Sequence, residues 1–119
     1  MSEQYSAYMP HIRQRWADEQ AGWEKRRQQA WAVAGQIAGM LRAAYGADQI
    51  IAFGSLVGKG PFDEQSDIDL AVSGVSPAHF FRAYAQAMAI TSTFKLDLID
   101  LDDCPIQMRQ TISQSGVHL

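Results

Sequence analysis

The chain has 119 residues, 47% hydrophobic and 19% charged, a balance that suits one folded domain and excludes wholesale disorder. Its single cysteine, Cys104, excludes an internal disulfide, and no Cys/His pairing has zinc-site spacing, so a reducing, cytoplasmic setting is expected. Residues 1–48 carry six Lys/Arg against five Asp/Glu and residues 49–119 four against eight, the reverse of the basic surplus of a general nucleic-acid binder.

The first residues are polar, include Glu3 and lack the apolar stretch of a signal peptide. No segment approaches the roughly 18 to 20 apolar residues that span a bilayer, so a soluble protein with no membrane role is expected. From Pro10 to Tyr45 the pattern is helical: Trp23, Ala30, Ala34, Ile37, Leu41 and Ala44 recur at steps of three, four and seven. Gly22 marks an expected division into two helices, since an interior glycine costs about 1 kcal/mol relative to alanine. Residues 1–20 read as an N-terminal extension carrying Tyr5, Tyr8, Met9 and Trp16, and 21–119 as the domain. Trp16, Trp23 and Trp31 fall near one helical face, where packing on the domain is the expected role; the alternative is that residues 1–20 form an exposed aromatic arm that docks on a partner or a second copy. Lys25-Arg26-Arg27 reads as a solvated face.

Gly46 ends the helix. A strand over 49–53 then runs into Gly54-Ser55, followed by a loop holding Gly58, Gly60, Pro61 and Asp63. A second strand is expected over 67–73, a helix from Pro77 to Ile90, a third strand over 95–101, a helix over 105–113 and a short last strand after Gly116. Asp102 and Asp103 are expected to cap that last helix. The order α-β-β-α-β-α, with a closing strand, predicts an α/β fold with a small sheet and flanking helices.

The chemistry concentrates in carboxylates. Side chains alternate along a strand, so Asp67 and Asp69 of Ser-Asp-Ile-Asp-Leu share a face, ~6 to 7 Å apart, while Ile68, Leu70 and Val72 take the other. Asp97 alternates with Leu96 and Leu98 and joins the acidic side; Asp100 has the opposite parity and points away. Paired carboxylates repel unless a cation joins them, and magnesium takes such oxygens while completing its shell with water and substrate phosphate. Gly54-Ser55 at a strand end admits a phosphate to the backbone. A P-loop is a poor fit to Gly54-x-x-x-Gly58-Lys59-Gly60, which is one residue short and lacks the metal-binding hydroxyl.

The set Gly54, Ser55, Ser66, Asp67, Asp69, Leu70 and Asp97 resembles the minimal nucleotidyltransferases of the DNA polymerase beta-like superfamily, over about Trp23 to Leu119. Where family members often have an Arg and then a Gly after Gly-Ser, this chain has Leu56-Val57-Gly58-Lys59-Gly60, with Lys59 the available phosphate partner. The resemblance implies a mixed sheet with helices and a long N-terminal helical segment. It implies Asp67, Asp69 and Asp97 as magnesium ligands of a two-metal site, with Asp97 able to accept the proton of the attacking hydroxyl. Gly54, Ser55, Ser66 and Lys59 would bind a nucleotide triphosphate, ATP. It further implies an antitoxin that transfers AMP to a tyrosine of a HEPN-domain ribonuclease toxin. Two alternatives stay open: an antitoxin that neutralises by covering its toxin without catalysis, and a catalytic subunit that assembles with a helical partner and acts on a small-molecule hydroxyl; a homo-oligomer or hetero-oligomer is among the expected states.

Overall fold

A computed structural model describes the backbone of residues 3–119 and the side chains of residues 10–119. Tyr5, Tyr8 and Met9 therefore lie outside the described side chains. Helix α1 spans Glu3–Tyr45, 43 residues without a break. The division expected at Gly22 does not occur. Ala17, Gln20, Ala21, Glu24, Lys25 and the arginines after them are strong helix formers, and their summed propensity outweighs one glycine, which meets no neighbour that would reward a kink.

The second half of α1 carries the packing stripe: Ala30, Ala34, Ile37, Ala38 and Leu41 are buried, mostly small residues that let the helix lie close to the sheet. Trp31 packs at the edge of this core, as expected. Trp16, by contrast, is 66% exposed and stands outside that core. Gly46 ends the helix at φ +67°, with its N–H and that of Ala47 donating to the carbonyls of Arg42 and Leu41.

Strands β1 (Ile50–Phe53), β2 (Ile68–Val72), β3 (Leu96–Asp100) and β4 (Val117–His118) form one sheet in the order β3-β2-β1-β4. The β1/β2 and β1/β4 pairs are antiparallel and β2/β3 is parallel, joined through helix α2 (Pro77–Ile90). Helix α3 (Ile106–Ser115) returns the chain to β4. The expected α/β class and element order hold.

The two sheet faces differ. Ile50, Ala52, Ile68, Leu70, Val72, Leu96 and Leu98 face α1 and α2 and belong to the main core. The opposite face holds a smaller cluster, Ile51, Ala71, Leu101 and Ile112, flanked by Phe53, Ile99 and Cys104. Helix α3 covers that face at one end only, and the uncovered end is where the acidic residues emerge. Asp102 and Asp103 do not cap α3. They form a short turn after β3 in which Asp100 accepts from the Asp102 N–H at 3.0 Å, while Asp102 accepts from the Gly74 N–H at 2.9 Å. Pro105 stands at the α3 N-cap with no side-chain bond, because the aspartates are committed to the turn before it. Among the described residues no helix is long and apolar enough to cross a membrane.

Gly116 is where α3 meets the sheet. A Cβ there would lie 2.6 Å from the Ile112 carbonyl and 2.9 Å from that of Ala52, and would overlap Ile51. Gly116→Ala is expected to lower stability by about 2 to 3 kcal/mol, an overpacking cost read from the urea midpoint at unchanged m-value.

Candidate active site

The sheet register lines up two rows on the face that α3 half covers. Ile51 pairs with Ala71 and Ala71 with Ile99, an apolar row beneath α3. One step further along, Phe53 pairs with Asp69 and Asp69 with Asp97. Neighbouring strands stand about 4.8 Å apart, so the two aspartates are side by side. Asp67, just before β2 and with the parity of Asp69, continues the acidic side. Asp100 takes the opposite parity, as expected, and its carboxylate is used in the turn that follows.

Asp69 sits at the centre of this arrangement. Its carboxyl is pushed up to about 6, first by burial and then by the charges of Asp97 and Asp67. Part of that burial comes from Gly54, whose backbone lies directly against it. Gly54 has φ +69°, and a Cβ there would collide with a carboxylate oxygen of Asp69. The Gly-Ser turn is thus glycine for two reasons, a left-handed backbone and contact with an acidic side chain. Among the described residues, no three His, Cys, Asp or Glu side chains converge into a finished metal shell. What the row offers is hard oxygen donors with unneutralised repulsion, a donor set that suits a hard divalent cation whose remaining ligands come from elsewhere.

The other expected residues are placed as follows. Ser55 is exposed in the short 3-10 turn Gly54–Leu56 that leaves β1. The Ser66 hydroxyl is taken up in a turn: it accepts from the Asp63 N–H at 3.1 Å and donates to the Asp63 carboxylate at 3.2 Å. Lys59 is exposed and lines a groove along α1 with Trp23, Glu24 and Arg27.

The reading of Lys25-Arg26-Arg27 as a solvated face fails for two of the three. Arg26 donates from Nε to the Asp63 carbonyl at 3.0 Å, with its guanidinium 4.7 Å from the Phe94 ring centroid. Arg27, whose side chain is only 12% exposed, donates from Nη2 to the carbonyls of Gly60 and, at 3.4 Å, Ser55. It pairs with Glu24 at 3.2 Å and lies over Phe62. Arg27 therefore ties both ends of the Ser55–Gly60 loop to α1. The signal was in the spacing: Trp23, Arg27, Ala30 and Ala34 follow three- and four-residue steps, which puts Arg27 on the packed face.

Asp69 makes the metal-free protein pH-sensitive. Its folded value near 6 exceeds the ordinary 3.8, so the folded state keeps a proton that the unfolded chain releases, and this contribution is lost as pH rises through 6. Asp69→Asn removes the penalty. In metal-free buffer the variant is expected to match the wild type near pH 4 and to exceed it above pH 6 by about 1 to 2 kcal/mol, read by denaturant melts across pH.

The profile of the family described as polymerase beta, nucleotidyltransferase, matches residues 36–119. No curated protein matches the chain. Among solved structures, the toxin-antitoxin complex MntA-HpeT carrying two Asp-to-Glu changes two positions apart is 22% identical, with 71% of this chain and 70% of that chain covered and a TM-score of 0.57. MntA-HpeT with a Tyr-to-Ala change is 27% identical, with 71% and 69% covered and a TM-score of 0.56. A solved minimal nucleotidyltransferase is 23% identical, with 82% of this chain and 95% of that chain covered and a TM-score of 0.57. The match takes in β1, the Gly-Ser turn and the whole acidic row, and the chain belongs to the polymerase beta nucleotidyltransferase family.

Proposed function

We propose that the chain is a nucleotidyltransferase antitoxin that uses magnesium and ATP to place AMP on a tyrosine of a HEPN-class ribonuclease toxin. What carries the reading is the acidic row, Asp69 beside Asp97 with Asp67 on the same side, set against the backbone of Gly54. The likeness to a toxin-antitoxin complex at 27% identity supports a toxin as partner. Tyrosine as acceptor and the HEPN class follow from the resemblance of the motifs.

In this reaction the tyrosine Oη bonds to the α-phosphorus of ATP, the bond from that phosphorus to the α,β-bridging oxygen breaks, and pyrophosphate leaves. Asp67, Asp69 and Asp97 would hold magnesium, which when bound supplies charge stabilisation to the attacking and leaving oxygens. Asp97, exposed at the β3 side of the row, takes the proton of the incoming hydroxyl. The open backbone at Gly54 and the Ser55 hydroxyl receive phosphate oxygens. Arg27 keeps that loop in place through the Ser55 and Gly60 carbonyls.

Intact-mass spectrometry of the toxin, co-expressed with this chain, tests the reading. An AMP-sized increment is expected with the wild type, and Asp67→Asn with Asp69→Asn is expected to reduce transfer at least about 100-fold. A stable complex with no increment would mean neutralisation by binding alone. Magnesium is further expected to raise the melting temperature of the wild type at pH 7.5, since bound cation favours the folded state, and to leave the double Asn variant unmoved.

A further inference from the structure

The segment 55–60 leaves β1 with both side chains that the proposed reading sets against phosphate, Ser55 at its start and Lys59 near its end. At the near end the N–H groups of Val57 and Gly58 turn back to the Gly54 carbonyl. What spans the two ends is a single side chain. Arg27 Nη2 donates to the carbonyl of Ser55 at 3.4 Å and to that of Gly60, while Nη1 pairs with Glu24 at 3.2 Å. Its guanidinium lies 5.8 Å from the ring centroid of the buried Phe62. Arg26 serves the next stretch in the same manner, with its Nε on the Asp63 carbonyl and its guanidinium over Phe94, whose ring centroid is 6.2 Å from that of Phe62. Adjacent arginines thus hold the connection between the Gly-Ser turn and Ser66-Asp67, and all their bonds to it go to main-chain oxygens. One atom of Arg27 is left over: Nε is buried and meets no acceptor among the described residues. Packing chosen for stability alone satisfies or discards such a donor. The arginine fork is kept for its other end, where one nitrogen reaches two carbonyls of the loop.

We propose that Arg27 is a positioning residue for nucleotide binding: by holding the carbonyls of Ser55 and Gly60, it sets the separation of the Ser55 hydroxyl and the Lys59 ammonium before a triphosphate arrives. What the loop binds rests on the nucleotidyltransferase reading. A loop ordered in advance has less freedom to lose on binding, so the tether is expressed as affinity. The charge of Arg27 is already matched by Glu24, and its donors are engaged by the loop. Its effect therefore passes through the geometry of the loop and not through a bond of its own to phosphate. A lysine is a poor substitute, because a compact ammonium on a flexible stem lacks the planar fork that fixes both carbonyls.

Three variants of the full chain test it. Arg27→Met removes the donors and keeps an apolar stem over Phe62, Arg27→Lys keeps the charge, and Glu24→Gln breaks the ion pair but leaves both carbonyl bonds. Hydrogen exchange without nucleotide reads the tether: amides of residues 55–60 are expected to exchange at least about 10-fold faster in Arg27→Met, while those of Ala30–Leu41 stay as in the wild type. Titration calorimetry with magnesium and α,β-methylene-ATP, which cannot be cleaved at the reacting bond, reads the consequence. Its Kd is expected to rise about 10-fold in Arg27→Met and about 3-fold in Arg27→Lys, and to be unchanged in Glu24→Gln. Should Arg27→Met fail to fold, Arg27→Lys is judged by the same two readouts. Unchanged loop exchange in a folded Arg27 variant, a loosened loop with unchanged Kd, or a Glu24→Gln protein as weak as Arg27→Met would each overturn the proposal alone. A wild type that binds no analogue would remove the nucleotidyltransferase reading and the proposal with it.

Discussion

Two like charges, Asp69 and Asp97, are held in register on adjacent parallel strands, and much of the molecule is arranged to keep them there. Left alone, the pair would push β2 and β3 apart. It is held by what lies on the reverse of the same strands, where Ile68 pairs with Leu96 and Leu70 with Leu98, all buried under α1 and α2. The apolar face fixes the register because a one-residue slip would carry the aspartates into the core and the leucines out of it. The repulsion on one face is thus offset by burial on the other, and the strand pair stores a charge that a cation can neutralise.

The rest of the site follows from how the second face is shared. Helix α3 covers the row of Ile51, Ala71 and Ile99 and stops short of the acidic row, so Asp69 is half-buried and Asp97 open. The partial cover raises the Asp69 carboxyl without sealing it from a ligand. Gly54 closes the near side with backbone alone, and the loop beyond it is held by Arg27 from across the sheet edge. No arginine follows Gly54-Ser55 in that loop, and Arg27 of α1 lies against the carbonyls of Ser55 and Gly60.

Most of the fold was legible because its signals are local. Period-two alternation placed Asp67, Asp69 and Asp97 on one face and Asp100 on the other. Pro77 and Gly46 bounded helices where expected. What was not legible depends on partners distant in sequence. Gly22 reads as a breaker, but the residues around it outvote it and no neighbour exploits the gap. Arg27 reads as solvent-facing by charge, and only its contacts with Ser55, Gly60 and Phe62, some 28 to 35 residues on, turn it inward. Asp102 had the look of a helix cap until Gly74, 28 residues earlier, proved to be its donor.

The 43 residues of α1 make a rod about 65 Å long at 1.5 Å per residue, anchored at one end only. Its amides therefore have two kinds of protection. Those from Ala30 to Leu41 open only when the core opens, and their hydrogen exchange reports the stability of the whole domain. Those from His11 to Gly22 belong to residues that are all exposed, so they exchange close to the free energy of an isolated helix. One covalent element thus spans the full range from local fraying to global unfolding, and whatever associates with its front is recorded there as slowed exchange while the core amides stay as they were.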